Sequence, residues 1–278
     1  MIKPFKKAII NRTTGAECLK GQNVAMSDRP KRILIVDDSE TFLMYISIIL
    51  RRMGFDKVIP ASNGIEALKL LRILMPDVTL LDIAMPQMDG ITVLRHIKGD
   101  DHTSNMPVIM VTIASDRKSY EECERLGCSA YLTKPVKITE LNNALNECIF
   151  YAGGKKRQFL RTSFEKKITV THNGVAKEHY AVSLSEGGMY IRNINPLSIG
   201  TEVEITLPLK DKKTVNLKGT VIYVKGLHGD LFKIAPGMAI EFKDLTNNDS
   251  AMLRSYITDL LTGDILEEQE EPVISIDY

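Results

Sequence analysis

From residue 32 to residue 151 the apolar positions of this chain follow two alternating rhythms. Short unbroken apolar runs at 32–36, 57–60, 78–81, 107–111 and 130–133 read as strands buried on both faces. Between them lie segments with the 3.6-residue period of helices, at 40–53, 64–75 and 91–98, then from a cap at Ser115 or Asp116 to Leu126, and at 139–151. Ser39 is placed to cap the first helix, Gly54 and Gly127 to close two of them, and Pro76 to stop a third. Five strands alternating with five helices predict an α/β fold, a doubly wound (βα)5 parallel sheet covered on both faces.

Gly153-Gly154 breaks that rhythm. Beyond it the apolar period falls to two, in runs at 168–171, 179–184, 189–192, 202–207, 215–224 and 238–242. Turn residues separate these runs, among them Asn173-Gly174, Gly187-Gly188, Pro196 and Asp211. The second half is therefore expected to be mainly β, a small barrel, with a last helix near 249–261 capped by Thr246 or Asn248. The expected organisation is an N-terminal arm at 1–30, an α/β domain at 31–152, a barrel domain at 153–262 and a solvated acidic tail at 263–278. Met26 stands just before the first strand, and the sequence does not choose between it and Met1 as the translation start.

A length of 278 residues agrees with two domains, and 44% apolar content is ordinary for a soluble chain. A net charge of +1 gives no global field to recruit nucleic acid, and no helix-turn-helix pattern follows the first domain, so direct DNA binding is not expected. Cys18, Cys123, Cys128 and Cys148 form no Cys-x-x-Cys pair, and the five histidines show no metal spacing. Reduced thiols, no apolar run near the ~20 residues a bilayer needs, and no secretory signal point to the cytoplasm.

What changes the picture is where the first five strands end. The first runs into Asp37-Asp38, the third into Asp82, the fourth into Thr112, and the fifth into Lys134-Pro135. In an open parallel sheet ligands bind beyond the carboxyl ends of the strands. Three carboxylates, a hydroxyl and an amine should therefore meet at one rim. A carboxylate can attack phosphorus to form an acyl phosphate. A divalent ion would offset the repulsion between that rim and an anionic phosphoryl group, and Mg²⁺ prefers oxygen ligands. A phosphatase of the haloacid-dehalogenase type also uses an aspartate nucleophile, but Asp82-Ile83-Ala84 lacks the second carboxylate it needs.

With Asp37-Asp38, Asp82, the turn Met85-Pro86-Gln87-Met88-Asp89-Gly90, Thr112 and Lys134-Pro135, residues 31–150 resemble a response-regulator receiver domain. The resemblance implies that Asp82 is the phosphoacceptor and a sensor histidine kinase the donor. It implies that Asp38, Asp82 and the backbone carbonyl of Ala84 ligate Mg²⁺, with Asp37 acting mostly through water. Thr112 and Lys134 would bind the phosphoryl group, Tyr131 would be the switch aromatic, and the bond before Pro135 would be cis. Two positions depart from the family: bulky Ile113 follows Thr112 and is expected to crowd the phosphoryl site, and Ala84 has no polar side chain.

The second half carries two further patterns. Arg157-x-x-x-Arg161 is a basic pair whose forks suit phosphate and the guanine edge. Ser183-x-Ser185-x-x-Gly188 puts two hydroxyls on one strand face, followed by a glycine where the backbone can be approached closely. Alone, the first reads as a basic linker and the second as an ordinary turn. Together they make residues 155–262 resemble a PilZ domain, a cyclic di-GMP receptor, with Ser183 where the family has Asp or Asn. The resemblance implies cyclic di-GMP binding by Arg157, Arg161, Ser183, Ser185 and Gly188, and control of a downstream protein target. Beyond phosphorylation of Asp82 and its reversal, the sequence shows no nucleophile–base pair or metal cluster, so no further enzyme activity is expected. The competing expectation is a receiver-controlled protein adaptor whose barrel holds no nucleotide.

Overall fold

The continuous apolar runs have nowhere to sit except between two helical layers, and that is where they are found. A computed structural model describes residues 31–113, 117–150, 159–210, 213–226, 236–266 and 274–275. The strands β1 (Arg32–Val36), β2 (Lys57–Ala61), β3 (Val78–Asp82), β4 (Val108–Thr112) and β5 (Ala130–Thr133) form one parallel sheet in the order β2-β1-β3-β4-β5. Its helices are α1 (Glu40–Arg52), α2 (Gly64–Leu74), α3 (Gly90–Gly99), α4 (Arg117–Leu126) and α5 (Ile138–Phe150). Successive residues of β1 serve opposite faces: Ile33 and Ile35 join a cluster with α1 and α5, while Leu34 and Val36 join one with α2, α3 and α4. The expected Ser39 cap is present, its hydroxyl accepting from the Phe42 N–H. The Ser115 or Asp116 cap of α4 lies outside the described residues. A two-residue strand, β6 (Val136–Lys137), was not anticipated.

The second half closes into a six-stranded antiparallel barrel, in the order β10-β11-β12-β9-β8-β7. Its strands are β7 (Arg161–His172), β8 (Val175–Ser185), β9 (Gly188–Arg192), β10 (Glu202–Pro208), β11 (Thr214–Lys225) and β12 (Gly237–Lys243). Closure leaves no unpaired sheet edge. The helix α6 (Asn247–Leu266) follows, with Thr246 and Asp249 capping one another at its start. It packs on the barrel through Tyr256, whose ring meets Phe164 edge-on at 6.2 Å and whose hydroxyl donates to the Pro208 carbonyl. The same helix also meets α1: the Arg52 guanidinium donates to the Leu261 carbonyl at 2.9 Å. In the segment expected to be a solvated tail, α6 continues to Leu266, and β13 (Ile274–Ser275) pairs in parallel with β6. Among the described residues no helix is long and apolar enough to cross a membrane.

Candidate functional site

The strand order brings the carboxyl ends of β1 and β3 side by side, at the point where the connections diverge to either side of the sheet. Asp37 and Asp82 are 0% and 3% exposed there, while Asp38 faces solvent. One oxygen from each of the three carboxylates lies within 4.8 Å of the others. Asp37 Oδ1 accepts from the Ser39 N–H at 3.0 Å, and Asp82 Oδ1 from the Ile83 N–H at 2.8 Å. Lys134 reaches in from the end of β5, its Nζ 2.6 Å from Asp37 Oδ2 and 3.3 Å from Asp82 Oδ2. The same ammonium lies 4.3 Å from the centre of the Phe42 ring on α1. The Lys134–Pro135 bond is cis, as the sequence led one to expect.

Burial pushes the Asp37 and Asp82 carboxyls above the ordinary carboxylate range, and the Lys134 ammonium only partly offsets this. Two buried carboxylates thus share one amine. An oxygen-rich pocket with surplus negative charge suits a hard divalent cation, so the donor set fits Mg²⁺. Thr112 completes the rim from β4, 4% exposed, and its carbonyl accepts from the Lys134 N–H at 2.7 Å. Tyr131, on β5, is half-buried and meets Tyr120 edge-on at 5.3 Å. Ala84 is exposed in the turn after β3. Ile113 is 73% exposed, so its side chain extends into solvent and the expected crowding of the acceptor is not seen in this conformation.

The turn after β3 is held by glycine. A Cβ on Gly90 would collide with the Asp82 carbonyl oxygen, and the Gly90 N–H donates to the Ile83 carbonyl at 3.0 Å. Gly90→Ala should therefore push the acceptor strand away from α3 and lower stability by about 2–3 kcal/mol, read from the urea midpoint. A wild-type midpoint would show that this approach is not a constraint.

In the barrel the two motif segments meet. Arg161 is the first residue of β7, opposite Ser185 on β8, and Ser163 lies opposite Ser183. Ser185 is buried and donates to the Gly188 carbonyl at 2.9 Å, closing the hairpin between β8 and β9. Gly188 must be a glycine, since a Cβ there would strike the Ile240 carbonyl. The Phe159 ring packs on Gly187, which seats the segment ahead of Arg161 against the turn. Arg161, Ser183, Ser185 and Gly188 are thus gathered on one outer patch, while Arg157 lies outside the described residues. Two residues that the sequence reading passed over shape this turn. Glu186 is buried between the motif positions and accepts from Arg254 of α6, at 3.2 Å from Nε and 2.9 Å from Nη2. Nothing local marks that pair, because its members are 68 positions apart.

Comparison with known proteins adds to this geometry. The response regulator receiver domain model matches residues 33–146, and the PilZ domain model matches residues 155–259. The polar-differentiation response regulator DivK of Brucella anthropi is 35% identical over 109 residues, covering 39% of this chain and 88% of that protein. The chemotaxis protein CheY-3 of Vibrio cholerae is 32% identical over 123 residues, covering 44% of this chain and 95% of that protein.

Proposed function

This chain belongs to the response-regulator receiver family and carries a PilZ domain behind its receiver, and from that premise we propose a two-component regulator with two inputs. A sensor histidine kinase phosphorylates Asp82, and cyclic di-GMP binds the PilZ barrel. The observation that carries this reading is the pairing of buried Asp37 and Asp82 with the partly buried Lys134, and Asp38 at the mouth of the cluster. Asp38, Asp82 and the Ala84 carbonyl would hold Mg²⁺, with Asp37 acting chiefly through water. The ion, when bound, neutralises the charge of an incoming phosphoryl group. Asp82 is the nucleophile, and Lys134 and the Thr112 hydroxyl hold the phosphoryl oxygens. Tyr131 follows Thr112 as the switch aromatic. The regulator acts in the cytoplasm on a downstream protein, with no enzymatic activity of its own beyond Asp82 chemistry.

The two inputs have a physical route between them. A phosphoryl group on Asp82 draws the Lys134 ammonium from Asp37 and from the Phe42 ring of α1. The α1 residue Arg52 is bonded to α6, and the α6 residue Arg254 is bonded to Glu186 inside the ligand turn. Coupling of this kind is reciprocal and typically amounts to about 5–150-fold in affinity. The alternative reading, a protein adaptor whose barrel holds no nucleotide, is favoured by Ser183, whose short side chain replaces a longer amide or carboxylate.

Titration of labelled cyclic di-GMP separates the two readings. Binding by the wild type that Arg157→Ala weakens supports a receptor, and no binding by either supports the adaptor. Beryllofluoride, a phosphoryl mimic, should shift the dissociation constant about fivefold or more, and Arg52→Ala should shrink that shift. Equal constants with and without the mimic would remove the coupling.

A further inference from the structure

The outer face of the barrel continues past the two motifs. Across neighbouring strands, Ser183 on β8 pairs with Tyr190 on β9, Tyr190 with Ala239 on β12, and Ala239 with Tyr223 on β11. The alternation along each strand settles which way they point. Leu184, Met189, Ile191, Met238 and Ile240 fill the interior, so the residues between them face out. Gly237 and Ala239 are small, and the Tyr190 ring leans over Gly237: its Cε1 stands 3.1 Å from where a Gly237 Cβ would be. Beyond Ala239, Tyr223 is 46% exposed. Burial, and after it the Tyr223 phenol, push the Tyr190 phenol above its ordinary pKa. On the next row Gly237 pairs with Arg192 on one side and Lys225 on the other.

We propose that Tyr190 and Tyr223, laid over Gly237 and Ala239, form a stacking floor for a purine base of the bound cyclic dinucleotide, with Arg192 and Lys225 facing its phosphodiester. This rests on the cyclic di-GMP reading of the barrel. A cyclic dinucleotide has two bases, and the motif residues around Arg161 and Ser183 account for one of them. The row that starts at Ser183 leads from that position directly to Tyr190, one strand spacing away. Aromatic faces accept any base, and cations beside them suit the linking phosphate. The floor also offers a reason for tolerating serine at 183: affinity lost at that hydrogen bond is recovered by stacking.

The test is a titration of the full chain with cyclic di-GMP, followed by dissociation constant and by tyrosine emission, since the chain has no tryptophan. Tyr190→Leu should weaken binding about tenfold or more, and Tyr190→Phe should leave it within about twofold. Ligand should quench wild-type emission, and Tyr190→Phe should change that quench. Should Tyr190→Leu fail to give a wild-type melting transition, Tyr223→Leu carries the test, with a loss of several-fold expected. Wild-type affinity in the leucine variants would overturn the stacking floor while leaving the motif site in place. Absence of binding in the wild type and in Arg161→Ala alike would remove the ligand reading itself, and the floor with it.

Discussion

Incubated with acetyl phosphate and magnesium, the wild-type protein should gain one phosphoryl group by intact mass, and Asp82→Asn should gain none. Three carboxylates crowd the rim, so the selectivity has to be explained. Asp37 is occupied on both oxygens, by the Ser39 N–H and at 2.6 Å by Lys134. Asp38 faces solvent, so a phosphoryl group there would stay hydrated and open to water. Asp82 alone is buried beside both Lys134 and the end of β4, with one oxygen only loosely held, 3.3 Å from the ammonium. An asparagine keeps the shape and loses the nucleophile, so the expected effect is loss of the adduct and not a slower rate. An adduct of wild-type extent on Asp82→Asn would place the chemistry elsewhere and undo the reading of the first domain.

The second large effect is expected at Arg161. Replacement by alanine should lower cyclic di-GMP affinity by between about tenfold and a hundredfold, the range for one lost charge-assisted contact. Arg161→Lys should recover little, because a point ammonium cannot reproduce a planar fork. The serine opposite offers the converse change: Ser183→Asp restores a longer acceptor on the same face and should tighten binding. Arg161 begins β7 and its surface is open to solvent, although neighbouring atoms desolvate the guanidinium enough to lower its pKa, so truncation should cost little stability. An unchanged dissociation constant in Arg161→Ala, with a normal melting curve, would take the ligand off this patch.

The first domain was legible for a physical reason. Strands buried on both faces must be continuous apolar runs, and chemistry in an open parallel sheet collects where those runs stop. Asp37, Asp82, Thr112 and Lys134 could therefore be placed at one rim before any distance was known. The barrel was harder to read, and two strands show why. Apolar alternation suggested starts at Ile168 and His179, whereas β7 begins at Arg161 and β8 at Val175. Residues Val175 to Glu178 are exposed on both faces of their ribbon, so no alternation is imposed on them. In β7 an irregularity between Ser163 and Lys166 shifts the register and breaks the period. Helix α6 hid its length in a similar way. It touches the barrel and α1 at once, so its apolar residues do not form one stripe, and the buried Thr258 and Thr262 satisfy their hydroxyls on their own helix. The Glu186–Arg254 pair joins segments too distant for any local pattern to announce it.

That helix has a consequence for what counts as a unit in this protein. By sequence the chain divides cleanly in two, yet a single cluster of buried side chains runs from Ile33 and Phe42 through Leu160 and Phe164 to Leu261. Excising either module would uncover apolar surface that its partner now shields, so the two recognisable halves should melt in a single transition, and two separate transitions would show that the shared cluster does not bind them together.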